Sequence, residues 1–89
     1  MPINIYENIS KKEIDYLCKN DWDLPKQIFE LEKWIEKNIN KFPKSEYVID
    51  IGFNIRKDTT GGGAVITNNL MKKLIEKGFE IYLSEYPNE

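Results

Sequence analysis

The stretch that decides the fold is YVIDIGFNIR, residues 47–56, in which apolar side chains occupy every second position. A period of two residues is typical of a β-strand with one face on the core. The face that we expect to be buried comprises Tyr47, Ile49, Ile51, Phe53 and Ile55. The length and regularity of the pattern predict a central strand.

The longest helical pattern begins just after Asp23, which is suited to an N-cap, and has Pro25 in its first turn. Apolar residues then recur at steps of three and four, at Leu24, Ile28, Leu31, Ile35 and Ile39. We expect this stripe to pack on the core face of the 47–55 strand.

The first twenty residues predict a short strand and a helix. Ile3 and Ile5 alternate with polar neighbours, as in a half-buried strand. Ser10 and Glu13 have the spacing of a capping box, which indicates that a helix begins there. We therefore expect a helix over about 11–19.

The C-terminal part predicts a strand, a helix and a strand. The apolar run at 64–66 reads as a short strand. Thr67 is suited to an N-cap and Gly78 to a helix stop, with apolar residues at helical spacing between them. Residues 79–84 then alternate as a last strand.

Taken in order, these elements give β-α-α-β-β-α-β. The fold class is α+β, with a small mixed sheet of three to four strands and about three helices packed on one face. The final strand-helix-strand unit should form a parallel crossover. With 89 residues the chain has room for one hydrophobic core, so we expect one small globular domain over 1–89.

Composition argues against most catalytic and metal chemistry. The chain has no histidine and a single cysteine, Cys18. Zinc sites of the Cys/His type and nucleophiles paired with histidine therefore have no residues to form them. We expect a protein that is not an enzyme and that uses no metal or cofactor.

Charge and hydropathy limit which partners and which cellular compartment we expect. Thirteen basic residues against fifteen acidic ones give a net charge of −2, which disfavours a nucleic-acid binder. No apolar stretch approaches the roughly 20 residues of a membrane span, and the first residues lack a signal-peptide pattern. We therefore expect a cytoplasmic protein without nucleic-acid or membrane partners.

A glycine-rich segment is one candidate binding site. Thr60 precedes Gly61, Gly62 and Gly63, and Arg56 lies just before them. Backbone amides of such loops can wrap an anion. The segment lacks the spacing of the known phosphate-binding loops, so a connecting loop is the alternative reading.

The second candidate site is a surface for a protein partner. Glu80 and Glu85 belong to a locally acidic C-terminal part, and carboxylates there would attract a basic partner. Tyr86 could add buried contact area. Trp34 lies beside the main helical stripe, either at the core edge or as an exposed aromatic anchor for a partner.

Three segments, Asp50-Ile51-Gly52-Phe53, Gly61-Gly62-Gly63-Ala64-Val65-Ile66 and 70–86, together resemble the C-terminal half of small uncharacterised bacterial immunity-type domains. The resemblance implies a protein that binds a toxin made by the same cell, a basic toxin domain given this acidic surface, and inhibits it. No catalytic residue follows from it. The alternatives are a small-ligand or anion-binding domain using the glycine-rich loop, and an accessory subunit of a larger complex.

Overall fold

The computed structural model describes residues 2–55 and 60–87. In chain order its elements are β1 (Ile3–Glu7), β2 (Glu13–Leu17), α1 (Leu24–Asn38), a short 3-10 helix (Ile39–Lys41), β3 (Tyr47–Asn54), α2 (Asn68–Lys77) and β4 (Phe79–Tyr86). The strands form one sheet in the order β2-β1-β3-β4. The predicted α+β class and a mixed sheet of three to four strands are confirmed, and the sheet has four.

The sheet contains both strand orientations. β1 pairs antiparallel with β2 on one side and with β3 on the other. β4 pairs parallel with β3, and α2 supplies the crossover between them. A parallel crossover was predicted, but it begins from β3 rather than from a strand at 64–66.

The core lies between the two helices and one face of the sheet. The α1 stripe Ile28, Leu31 and Ile35 packs in one cluster with Ile49 and Ile51 of β3, as predicted. Leu70 and Leu74 of α2 join the same cluster, so both helices cover the same face. The predicted core position of Ile55 is wrong, because β3 ends at Asn54 and the Ile55 side chain is 49% exposed.

The helix predicted over 11–19 is a strand. β2 pairs with β1 in a hairpin, and the Ser10 hydroxyl donates to Glu7 Oε1 (2.6 Å) instead of capping a helix. Lys11 adopts a positive φ of 61°, which turns the chain back on itself. Strand pairing with β1 therefore overrides the local capping signal, and the structure has two α-helices where about three were expected.

The strand predicted at 64–66 is part of a loop. Gly61, Gly62 and Gly63 all have positive φ values, and regular structure resumes only at α2. The ends of α2 are as predicted. Thr67 Oγ1 accepts from the Leu70 amide (3.2 Å), and Gly78 ends the helix in the left-handed region with a φ of 87°.

Candidate functional site

The sheet face opposite the helices is the candidate site, here called the open face. It consists of the even-numbered residues of β1, β3 and β4, together with Glu13 and Tyr16 of β2. This assignment follows because odd-numbered residues of β1 and β3 point into the helix-covered core and successive side chains alternate. In the part of the chain that the structure describes, neither helix packs on the open face.

The register aligns one row of side chains across all four strands. Tyr16 lies opposite Asn4, Asn4 opposite Asp50, and Asp50 beside Tyr82. Neighbouring strands lie about 4.7–4.9 Å apart, so this row extends across the full width of the sheet, a span suited to the surface of another macromolecule. The Ser84 hydroxyl donates to Asp50 Oδ1 (2.9 Å) and fixes that carboxylate.

A second row contains Tyr6, Val48 and Glu80. Val48 is fully buried although it does not belong to the helix-side core, so side chains of the open face itself cover it. Burial raises the pKa of the Tyr6 hydroxyl, and the nearby charges of Asp50 and Tyr82 raise it further. The two rows therefore form one continuous surface in which tyrosine rings surround a carboxylate.

An aromatic pair closes one end of this surface. The rings of Trp22 and Tyr86 meet edge to face with centroids 5.3 Å apart. The Asn54 amide donates to Trp22 O (3.0 Å), which attaches the segment before α1 to the end of β3. Gln27, fully buried, donates from Nε2 to both Gly52 O and Asp21 O, so α1 holds this end in place.

The open face carries one sign of charge. Asp50, Glu80 and Glu13 contribute carboxylates, and no lysine or arginine stands among the strand residues assigned to this face. Lys11 lies at the hairpin end, with Nζ 5.9 Å from the centre of the Tyr6 ring. A surface of tyrosines and carboxylates can stack with and accept hydrogen bonds from cationic side chains.

The four residues predicted to bind a partner lie in three different places in the structure. Glu80 and Tyr86 share the open face, as expected from their spacing, and both are exposed. Glu85 is also exposed but belongs to the odd-numbered side of β4. Trp34 is only 9% exposed and its Nε1 donates to Asp15 Oδ2 (2.7 Å), so it lies at the core edge and is no exposed anchor.

The predicted anion-binding loop is only partly described. Arg56 lies outside the described residues. Thr60 and the three glycines are exposed, and a Cβ added at Gly61 or Gly63 would meet nothing within 4 Å. Anion binding by this loop therefore stays a prediction.

A shallow groove of about 740 Å³ lies between β2 and α1, beside Trp34. Asp15, Asp21 and Glu30 line it together with Lys33 and Lys37, so its charges are mixed and favour no ligand of one sign. Burial raises the pKa of the Cys18 thiol at its edge, and the carboxylates of Asp21 and Glu30 act in the same direction. This keeps the thiol protonated near neutral pH.

Over residues 2–55 and 60–87, no three Cys, Asp or Glu side chains are grouped closely enough to hold a metal ion. Neither described helix has the length and apolar character needed to cross a membrane.

Sequence reasoning missed Asn4, Tyr6, Tyr16, Asp50 and Tyr82 as site residues. Asn4 and Tyr6 are the polar positions in the alternating pattern of β1, which was the available signal for them. Which side chains lie beside them depends on the order of the strands in the sheet. Tyr16 was hidden by the helix expected at 11–19. Only the pairing of β2 with β1 brings it to the open face.

Comparison of the chain with protein-family models, curated proteins and solved structures finds no match.

Proposed function

We propose that this chain is a small protein-binding domain whose open face binds a basic surface of another protein. The observation that carries the proposal is the row Tyr16, Asn4, Asp50 and Tyr82, which crosses an entire sheet face left uncovered by both helices. A sheet face rich in tyrosine supplies large contact areas, each with a hydroxyl for a hydrogen bond.

Charge supports the choice of partner. Asp50 and Glu80 stand between tyrosines without a basic neighbour on their own strands, so a partner with lysine or arginine complements them. Such complementarity raises the encounter rate and the specificity of binding. Aromatic sheet faces also stack on single-stranded RNA, but carboxylates at the centre of this face would repel its phosphates.

The resemblance to immunity-type domains suggests what the partner would be. On that reading the basic surface belongs to a toxin, and the domain inhibits the toxin by covering that surface in the cytoplasm. Inhibition then requires only binding and no chemistry by this chain, in keeping with our proposal that it is not an enzyme.

The experiment is affinity capture of a partner from the native cell, followed by calorimetric titration with the purified partner. Tyr82→Ala removes a ring that is 43% exposed on the open face. The matched control is Phe29→Ala, which removes a ring that is 62% exposed on α1. Aromatic residues at the centre of an interface typically cost tenfold or more in affinity when truncated.

We expect Tyr82→Ala to weaken partner binding by about tenfold or more and Phe29→Ala to leave it unchanged. Equal loss in both variants, or loss with Phe29→Ala alone, would contradict the proposal. A captured species that proves to be nucleic acid would contradict it as well.

A further inference from the structure

We propose that the partner binds by adding an extended, basic segment to the outer edge of β4. This inference rests on the proposed function and specifies how the partner is held. It begins from the position of β4, which stands last in the order β2-β1-β3-β4. In the described residues no strand pairs with its outer edge.

The hydrogen bonds of the sheet show which groups face outward. The Tyr47 amide donates to Gly78 O (2.9 Å) and the Ile55 amide donates to Tyr86 O (3.3 Å), so the even-numbered residues from 78 to 86 direct their backbone groups to β3. Within a strand these groups alternate sides. The N–H and C=O groups of Ile81, Leu83 and Glu85 therefore point away from the sheet.

Apart from the charges of Glu80 and Glu85, the residues of β4 provide none of the features by which edge strands avoid pairing. The strand has eight residues, no proline, no lysine, no glycine and no irregular register with β3. The opposite edge strand, β2, has five residues, a register shift beside Ile5 and Tyr6, and a turn with positive φ at Lys11. A long, regular edge is a template for another strand, whereas a short, irregular one is not.

The side chains along β4 indicate the composition of the added segment. Glu80 and Glu85 are exposed, and no basic residue occurs in the strand. Leu83 is 56% exposed on the helix-covered side, and Tyr82 is 43% exposed on the open face. Lysine or arginine alternating with apolar residues would place its basic side chains beside Glu80 on the open face and its apolar side chains beside Leu83 on the helix-covered side. Main-chain hydrogen bonds give such strand addition its affinity, and alternate side chains give it specificity.

The test uses a defined probe, an eight-residue peptide of alternating lysine and valine. Its control has the same sequence with every second amide N-methylated, which keeps charge and side chains but removes strand pairing. We expect the unmodified peptide to slow hydrogen exchange at the Ile81, Leu83 and Glu85 amides. The N-methylated peptide should leave those amides unchanged.

A pair of variants tests the same edge with the captured partner. Leu83→Ala and Leu83→Pro both remove the leucine side chain, but only proline removes the outward N–H. Proline is tolerated on an edge strand where the N–H faces solvent. We expect Leu83→Pro to bind the partner about tenfold or more weakly than Leu83→Ala. Thermal unfolding would show whether the proline variant folds, and the exchange experiment tests the inference if it does not.

The outcomes separate this inference from the proposed function. If Tyr82→Ala weakens partner binding while the outward amides of β4 exchange at unchanged rates, the open face binds the partner and strand addition is wrong. If those amides are protected by the peptide but Tyr82→Ala has no effect on partner binding, the open-face proposal fails alone. Concentration-dependent protection without peptide or partner would show that β4 pairs with a second copy, which would also overturn the inference.

Discussion

Replacing Gly78 by alanine should be among the most destabilising single changes in this chain. Gly78 ends α2 with a φ of 87°, and the next residue begins β4. A Cβ at this position would lie 1.9 Å from the backbone oxygen of Ser45, well inside the 3.4 Å at which ordinary van der Waals contact begins. The left-handed conformation alone costs an alanine about 1–2 kcal/mol.

The clash adds to this cost because the backbone at Ser45 is held in place. The Ser45 amide donates to Lys77 O (3.1 Å) and the Tyr47 amide donates to Gly78 O (2.9 Å). Moving Ser45 away would weaken both bonds at the start of the β3–β4 pairing, at about 1 kcal/mol each. We therefore expect Gly78→Ala to lower the free energy of unfolding by about 3–4 kcal/mol, a large part of the stability of a domain this size.

The assay is urea denaturation followed by circular dichroism, with Gly63→Ala as the control. Gly63 also has a positive φ, 133°, but a Cβ there meets no atom within 4 Å. Gly63→Ala therefore places an alanine at a positive φ without any contact such as that with Ser45, and we expect the larger loss for Gly78→Ala. A loss below about 1 kcal/mol for Gly78→Ala, or equal losses in both variants, would refute the close approach of α2 and the segment before β3.

Three further predictions concern stability. Ile51→Ala should cost about 2–5 kcal/mol in denaturant titration because the side chain is fully buried, whereas Leu83→Ala, at a half-exposed position, should cost less than about 1 kcal/mol. The hydroxyls of Ser10 and Ser45 donate to the Glu7 carboxylate and hold the pKa of Glu7 below its usual range, so the stabilisation is present above the unfolded-state pKa and is lost as pH falls through the folded-state value. Glu7→Gln should therefore flatten the acid limb of a stability-versus-pH curve, and an unchanged limb would contradict this. Trp34→Phe should cost about 1.5–3 kcal/mol by losing the bond to the Asp15 carboxylate, and a silent substitution would show that this bond does not form in solution.

Long periodic segments made much of this fold predictable. The alternation of β3 and the helical stripe of α1 both identify side chains that meet in the core. The ends of α2 were also predictable, because Thr67 and Gly78 act through their own local geometry. These features depend on residues close in sequence, so the sequence pattern contains the information.

Features that depend on distant pairing were not predictable. Ser10 and Glu13 have the spacing of a helix cap. In the structure, however, the Ser10 hydroxyl forms its hydrogen bonds within the hairpin turn that connects β1 and β2. The apolar residues at 64–66 form no strand in the structure. Three residues carry too little periodicity for the sequence to distinguish a strand from a loop. The site depends on register in the same way. The spacing of Glu80 and Tyr86 alone predicts that both lie on the same face of β4. That Tyr6 and Asp50 lie on this face beside them could be known only from the order in which the strands pair.

The most direct test of the open-face proposal is the salt dependence of partner binding after one charge reversal. Glu80→Lys reverses a carboxylate on the open face, and Glu36→Lys makes the same change at an exposed position on α1. Calorimetric titration of both variants at two salt concentrations should show weaker binding and a smaller salt dependence for Glu80→Lys only. Thermal unfolding should be nearly unchanged in both variants, because exposed charges contribute little to stability. Wild-type affinity and salt dependence in Glu80→Lys would contradict binding of a basic partner at this face.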